Sequence, residues 1–253
     1  MKPKQDIMVG TSGFSYKDWL GNFYPQFCPR ADYLQFYSSR FSTVEIDSTF
    51  YRIPAETVVQ RWYRVTPDRF VFAAKFPRSV THEGDLATRL DDMQRFFEVM
   101  RALKEKQGPL LLQFPYSFTP DEADLLQSLL EALPAGVRVA LEFRNKKWLQ
   151  VAEVFETMRQ KNVAFCLIDH PWMPRLKIST ADFSYIRLLG DRKKIECDFT
   201  YLRDDRQDDL EWWRDAVRDL GSGGRQSFIY INNHYTGHSP TTAARMIEML
   251  RQI

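Results

Sequence analysis

Eight short apolar runs, segments of helical period between most of them, and no linker anywhere in 253 residues predict an α/β fold of the (β/α)8 type. This is a TIM-type barrel built as a single domain over residues 1–253. A chain that is 44% hydrophobic at this length can bury a core of that size. No stretch is rich in Gly, Ser or Pro, no like-charge block is long enough for a disordered tail, and nothing is of low complexity. A doubly wound open sheet is the competing architecture, but no G-x-G-x-x-G follows the first run to support its dinucleotide-binding version.

In chain order, the first strand is IMVGTS (7–12), followed by a helix in ADYLQFYSSRF whose apolar positions are Leu34, Tyr37 and Phe41. TVEID (43–47) is the second strand, and ETVVQRWYRV repeats apolar residues at Val58, Trp62 and Val65. FVFAAKF (70–76) precedes a helix with Leu90, Met93, Phe97 and Met100 on one side. LLLQF (110–114) precedes a helix opened by TPDE, where Thr119 caps, Pro120 takes the first helical position and Glu122 completes a capping box. That helix holds Leu125, Leu129 and Leu133. RVALEFR (138–144) and AFCLID (164–169) are the fifth and sixth strands. The connection HPWMPRLKISTADF has two prolines and no room for a full helix, so the passage from strand six to seven is irregular. SYIRLLG (184–190) is followed by a helix with Leu210, Trp213, Val217 and Leu220 that stops at Gly221. FIYINN (228–233) is the last strand, and SPTTAARMIEML opens the final helix with Ser239 and Pro240.

Side chains alternate faces along a strand, so in VALEFR the residues Ala140, Glu142 and Arg144 share one face and Val139, Leu141 and Phe143 the other. If the aliphatic face packs on helices, the opposite face of all eight strands brings Ser12, Glu45 with Asp47, Lys75, Gln113, Glu142 with Arg144, Asp169, Arg187 and Asn232 to the interior. Each lies near the carboxyl end of its strand, where barrel active sites are built. Four acids and three bases in one mouth are costly to desolvate unless they pair with each other or with a ligand. The structural alternative is an internal network such as Glu45 with Lys75 and Glu142 with Arg187. Apolar residues would close a barrel with less desolvation, which favours a site.

Around this mouth fall Phe14, Tyr16, Trp19, Phe23 and Tyr24 after the first strand, Phe50 and Tyr51 after the second, and Trp148, Trp172 and Tyr235 after later ones. Rings beside polar groups suit stacking of a sugar or nucleobase, with Tyr16 and Trp19 the foremost candidates. LLGDRKK places Gly190 before Arg192, Lys193 and Lys194, and NNHYTGHSP places Gly237 and Ser239 where the final helix begins. Barrels commonly bind phosphate at this corner.

Net charge is +2, from 35 basic and 33 acidic residues, so bulk electrostatics does not announce nucleic-acid binding and any anion site must be local. Cys28, Cys166 and Cys197 show no paired spacing and are expected to be reduced. MKPKQDIMVG contains no apolar stretch of signal-peptide length, and no run approaches the roughly 20 apolar residues of a membrane helix, which leads to the expectation of a soluble cytoplasmic protein without a membrane partner. His82, His170, His234 and His238, with Glu45, Asp47, Glu142 and Asp169, contain the donors of a carboxylate-rich divalent-metal site. No H-x-H or H-E-x-x-H pair is present, so the cofactor and the metal ligands stay open. Lys75 at a strand end also has the chemistry to form a Schiff base, though an ion pair with a neighbouring acid is the favoured expectation for it.

VGTSGFSYKDWLGNFYP, FSTVEIDSTFYRIP, FVFAAKFPRSVTHE, GPLLLQFPYSF, VALEFRNKKW, YIRLLG and YINNHYTGHSP together resemble the YecE-like family, a domain of unknown function, in order through nearly the whole chain. The resemblance implies a TIM-type barrel and supplies no reaction. The motif residues it implies here are Gly10, Ser12, Gly13, Tyr16, Trp19, Glu45, Ser48, Phe50, Tyr51, Lys75, Gln113, Glu142, Arg144, Arg187, Gly190, Asn232 and Asn233. Asp47 departs from it, since the resemblance implies Asn there; a metal ligand or proton carrier at this place is therefore not implied by the family.

The functional expectation is an enzyme acting on a phosphorylated or nucleotide-like substrate, with phosphoester hydrolysis favoured. Glu142 is the expected general base or metal ligand and Glu45 its acidic partner, while Lys75, Arg144 and Arg187 stabilise developing negative charge. Ser12, Tyr16, Trp19, Tyr51, Gln113, Asn232, Gly190 and Gly237 are the expected substrate contacts. The alternative is a non-catalytic barrel that binds nucleic acid or a small anion through the same mouth.

Overall fold

The structure, a computed structural model, describes residues 6–222 and 224–251. Eight strands form one parallel sheet: β1 (Ile7–Thr11), β2 (Thr43–Ile46), β3 (Val71–Lys75), β4 (Gln107–Gln113), β5 (Val139–Glu142), β6 (Ala164–Asp169), β7 (Phe183–Leu188) and β8 (Gln226–Ile231). Around them run α1 (Tyr33–Ser38), α2 (Glu56–Val65), α3 (Arg78–Thr81), α4 (Leu86–Met100), α5 (Ala123–Glu131), α6 (Ala152–Gln160), α7 (Gln207–Leu220), α8 (Asn233–Thr236) and α9 (Ser239–Leu250). The (β/α)8 barrel is thus borne out, and so is the irregular link between β6 and β7, which contains no helix. Among the described residues no helix is long and apolar enough to cross a membrane.

Strand order is β1-β8-β7-β6-β5-β4-β3-β2, and the ring closes between β1 and β2 by a narrow join. Ser12 and Glu45 form a single parallel bridge, with Gly13 N–H donating to Glu45 O at 2.8 Å. Below it the Tyr37 hydroxyl occupies the seam, accepting from Thr11 N–H at 2.9 Å and donating to Thr43 O at 3.1 Å. A side chain there takes the place of a ladder bond and satisfies backbone groups that would otherwise be orphaned. Gly10 makes the approach feasible, because a Cβ at that position would lie 2.1 Å from Thr43 O.

The sheet separates two apolar layers. Outward-facing Val9, Val44, Phe72, Leu110, Leu141 and Leu167 pack against helix residues such as Leu34, Met93, Leu129, Trp213 and Met246. The barrel interior is filled by Ala73, Leu111, Ala140, Ala164, Cys166, Phe183, Tyr185, Phe228 and Tyr230. Small residues on β3, β5 and β6 leave the volume that the large rings of β7 and β8 occupy, as close packing requires.

Several local expectations shift by a residue or more. β4 begins at Gln107, before the predicted start, because a register shift opposite β3 between Phe72 and Ala74 admits Gly108 and Pro109. In α2 the buried residue is Val59, while Val58 is exposed. The capping box of TPDE is present, with Thr119 N–H donating to Glu122 Oε2 at 3.2 Å. For α9 the cap is His238, whose Nδ1 accepts from Thr241 N–H at 3.3 Å; Ser239 donates through both N–H and Oγ to Asn233 Oδ1.

Candidate functional site

Arg187, carried inward by β7, is the centre of the barrel's upper floor. Its Nη2 and Nε donate to Glu45 Oε1 at 2.8 and 3.2 Å, and its Nη1 donates to Glu142 Oε2 at 2.8 Å. One guanidinium therefore ties β2 to β5 across the interior, using the fork geometry that suits it to carboxylates. Ser12 Oγ also donates to Glu45 Oε1 at 2.8 Å and Tyr185 OH to Glu45 Oε2 at 2.6 Å. Arg144 Nε completes Glu142 at Oε1, 2.5 Å away. Of the two anticipated ion pairs, Glu142–Arg187 forms, whereas Glu45 is taken by Arg187 and not by Lys75.

Burial alone would raise the Glu142 pKa, but the charges of Arg144 and Arg187 outweigh it and hold the carboxyl at about 2. Burial also opposes the Arg187 charge, yet Glu45 and Glu142 overcome it and raise that pKa well above the usual range. Both acids of the floor are fully engaged. A carboxylate so stabilised has little tendency to take a proton at neutral pH, which removes the physical basis for Glu142 as a general base.

Above this floor opens a cleft of about 400 Å³, lined by residues that include Asp47, Tyr51, Lys75, Arg144, Arg192 and Asn232. Phe50, His170, Trp172, Arg187, Gly190 and His234 complete most of its wall. Four cationic side chains face a single carboxylate, that of Asp47. The Asp47 side chain is 34% exposed, yet its Oδ1 is turned inward without a hydrogen-bond partner, the nearest cation being Arg187 Nη2 at 3.7 Å. Burial first and the Glu45 charge second push its pKa up to about 7, against the pull of Arg187 and Lys75. Lys75 Nζ lies 3.7 Å from the centre of the Phe50 ring and makes no hydrogen bond or ion pair among the described residues. Burial, then the neighbouring Arg187 charge, lower its pKa to about 8.

The remaining predicted residues are distributed unevenly. Tyr51, Gly190 and Asn232 line the cleft, and Ser12 lies in the floor. Gln113 is buried, donating through Nε2 to Phe114 O, and lines no part of the cleft. Tyr16 donates its hydroxyl to Ser12 O at 3.0 Å and packs its ring on Trp19. Trp19 is wholly buried with its Nε1 on Asn233 Oδ1, so its faces are not offered to a ligand. Gly237 packs against Tyr201 and Arg203 outside the cleft; its φ of +100° and the lack of space for a Cβ account for the glycine.

Asp169 corrects the inward-facing set. It points outward, accepting from Trp213 Nε1 at 2.8 Å and Tyr235 OH at 3.0 Å. The interior parity of β6 runs through Ala164, Cys166 and Ile168, and its continuation is His170, which does line the cleft. Counting that parity in the sequence would have found His170. Its Nδ1 accepts from Trp172 N–H at 3.3 Å, which leaves Nε2 as the protonated nitrogen. Among the described residues no group of three or more His, Cys, Asp or Glu side chains is arranged to hold a metal ion. The oxygens of Glu45 and Glu142 are already bonded and Asp169 faces away, so the residues present do not fit the divalent metal considered above.

A family model described as "Protein of unknown function DUF72" matches residues 8–253. The chain is similar to the UPF0759 protein YecE of Escherichia coli K12, 32% identical over 127 residues, which are 50% of this chain and 47% of that protein; the match thus spans about half of that relative's length. It is also similar to the UPF0759 protein YunF of Bacillus subtilis, 23% identical over 269 residues, covering 96% of this chain and 94% of that one. Among solved structures, a DUF72 family protein from Thermotoga maritima is 28% identical with a TM-score of 0.81, covering 98% of this chain and 100% of that chain. The YecE-like resemblance is borne out by these matches.

Proposed function

The chain belongs to the DUF72 family of proteins of unknown function, and we propose that its mouth binds a small phosphorylated or nucleotide-like anion and that this chain acts on it by acid–base chemistry at Asp47, a residue of its own that the family resemblance does not imply. The observation that carries this reading is the surplus of cations in the cleft. Arg144 shares its charge with Glu142, but Lys75 and Arg192 form no ion pair among the described residues. Lys75 is half-buried and Arg192 exposed at the rim, and cations gathered in one cleft without protein counter-charges favour an anionic ligand.

Asp47 is the proton carrier that the geometry supports, in place of Glu142. A carboxyl near pKa 7 populates both forms at neutral pH and can both take and return a proton. In a phosphoester hydrolysis it would accept the proton of the attacking water while Arg144 and Arg192 hold the phosphoryl oxygens. The faces of Tyr51 and Trp172, 75% and 55% exposed, suit stacking of a planar or sugar ring. Reduced cysteines and phosphorylated small molecules both fit the cytoplasmic setting expected from the sequence.

Thermal unfolding in the presence of inorganic phosphate, nucleotides and sugar phosphates, followed by product analysis of every stabilising compound, tests this directly. At least one phosphorylated compound is expected to raise Tm and to be turned over by the wild type, with turnover lost in Asp47→Asn. No shift with any of them, or undiminished turnover in Asp47→Asn, overturns the reading.

A second reading is favoured by one observation: the exposed aromatic residues Phe27, Tyr51, Tyr116, Trp172 and Tyr201 all lie in connections that follow strands, at the same end of the barrel. Such rings would stack the bases of a nucleic acid bound without chemistry. Stabilisation by oligonucleotides alone, with no product and a salt-dependent affinity, would select it.

A further inference from the structure

We infer that Lys75 is the covalent attachment point for a phosphorylated aldehyde or ketone: its amine enters the cleft with no hydrogen bond or ion pair among the described residues, held over the Phe50 ring and beside Asp47, whose Oδ1 accepts no hydrogen bond. This deepens the proposed function and rests on its claim that the cleft holds a phosphorylated anion. It adds the reactive group of the substrate and the nucleophile that meets it.

Two lysines of this chain make the argument. Lys106 is buried, and its Nζ donates to Tyr63 O and Thr66 O at 2.7 Å each, so its charge is satisfied by carbonyls. Lys75 has only a ring face, which favours the cation but offers it no acceptor. An amine in that position loses its proton more readily than an exposed one, and burial with the Arg187 charge moves it in that direction. Arginine would serve anion binding and stacking on Phe50 equally well without ever becoming a nucleophile.

Asp47 and Lys75 follow directly on the register pair Ile46–Ala74 of adjacent strands, and both face the cleft. The neutral amine attacks the carbonyl carbon, forming a C–N bond as the carbonyl π bond breaks. A proton moves from nitrogen to oxygen to give the carbinolamine. The protonated Asp47 carboxyl then gives its proton to the hydroxyl, which leaves as water as the C=N bond forms. The products are a cationic iminium on Lys75, the Asp47 carboxylate and one water, so atoms and charge balance without an oxidant or reductant. Arg144 and Arg192 remain for the phosphate.

Pyridoxal phosphate serves as the phosphorylated aldehyde and pyridoxal as its counterpart without the phosphate. Each is incubated with the full chain at equimolar concentration, reduced with borohydride and mapped by peptide mass spectrometry. One adduct on Lys75 is expected with pyridoxal phosphate, at least tenfold above pyridoxal, suppressed by inorganic phosphate and absent in Lys75→Arg. Labelling confined to other lysines in the wild type overturns the inference whether or not the variant folds. If inorganic phosphate still raises Tm in that case, the anion site stands and only the role of Lys75 falls. Equal labelling of Lys75 by both aldehydes, with no Tm shift from phosphate, instead removes the phosphate requirement and with it the proposed function.

Discussion

Two clusters of charge lie on opposite sides of the sheet near β6 and β7, and they are completed differently. On the outer side, Asp169 receives Trp213 and Tyr235 and faces Arg175 Nη2 at 3.1 Å and Arg206 Nη1 at 3.9 Å. Both arginines also reach Asp209 at the start of α7. Every charge there has a protein counterpart, and the cluster fastens the irregular connections on either side of β7 to that helix. On the inner side, Arg187 and Arg144 neutralise Glu45 and Glu142 in the same way, but Asp47 Oδ1, with no hydrogen bond and only the distant Arg187 at 3.7 Å, and Lys75 Nζ are left over. Charge that closes upon itself is accounted for by folding; charge that leaves a remainder asks for a ligand.

Breaking the inner cluster should have the largest effect. Arg187→Leu leaves two buried carboxylates facing each other without their shared cation, and a loss of about 3–5 kcal/mol is expected in urea unfolding at pH 7. A loss below about 1 kcal/mol would mean that water already reaches the floor and that the two clusters do not differ in burial.

Asp169→Asn tests the outer cluster. Trp213 and Tyr235 both donate to Oδ2, so an amide oxygen there keeps both bonds, but the variant loses the charge shared with Arg175 and Arg206, at an expected cost of about 1–3 kcal/mol. Stabilisation by phosphate should be unchanged, because Asp169 faces away from the cleft. A lost phosphate response in this variant would erase the distinction between a closed cluster and an open one.

The smallest effect sharpens the comparison by pH. The Asp47 pKa is raised in the folded chain to about 7, whereas unfolded Asp titrates near about 3.9. Between these values the native state holds the extra proton, so the Asp47 contribution to stability is fully present below the lower pKa and is lost as pH rises through the upper one. Glu142, at about 2, behaves oppositely: its contribution is present above the unfolded value and is lost as pH falls through the folded one. His82 and His238, lowered to about 4 mainly by burial, favour the native state as pH rises from about 4 to about 6.5, so the total curve mixes signs. The difference between wild type and Asp47→Asn isolates one group. The variant should gain relative stability between pH 5 and 8, and a difference that is flat with pH would place Asp47 in contact with bulk water.

The strands and the polar mouth were legible because a parallel barrel strand is apolar on its outer face, so two-residue parity reports which polar residues turn inward. Glu45, Lys75, Glu142 and Arg187 were found on that basis. Asp169 was not, because a polar residue at a strand end draws the eye even when it has the wrong parity, and its partner Trp213 is 44 residues away. Trp19 could not be separated from the rim aromatics, since only the fold shows Asn233 meeting its indole nitrogen. The sharing of Arg187 between Glu45 and Glu142 was equally hidden: it depends on three strands that meet only across the barrel's interior.

The phenol of Tyr37 gives the cylinder an unequal circumference. Neighbouring strands elsewhere are laced by main-chain bonds along a ladder, whereas this one joint has the isolated Ser12–Glu45 bridge and is buttoned just beneath it by a side chain. If the wall parts anywhere first, it parts there, and solvent entering from below would reach the acid that anchors the mouth. Amide exchange at Thr11 should therefore report on how tightly the floor of the cleft is kept dry.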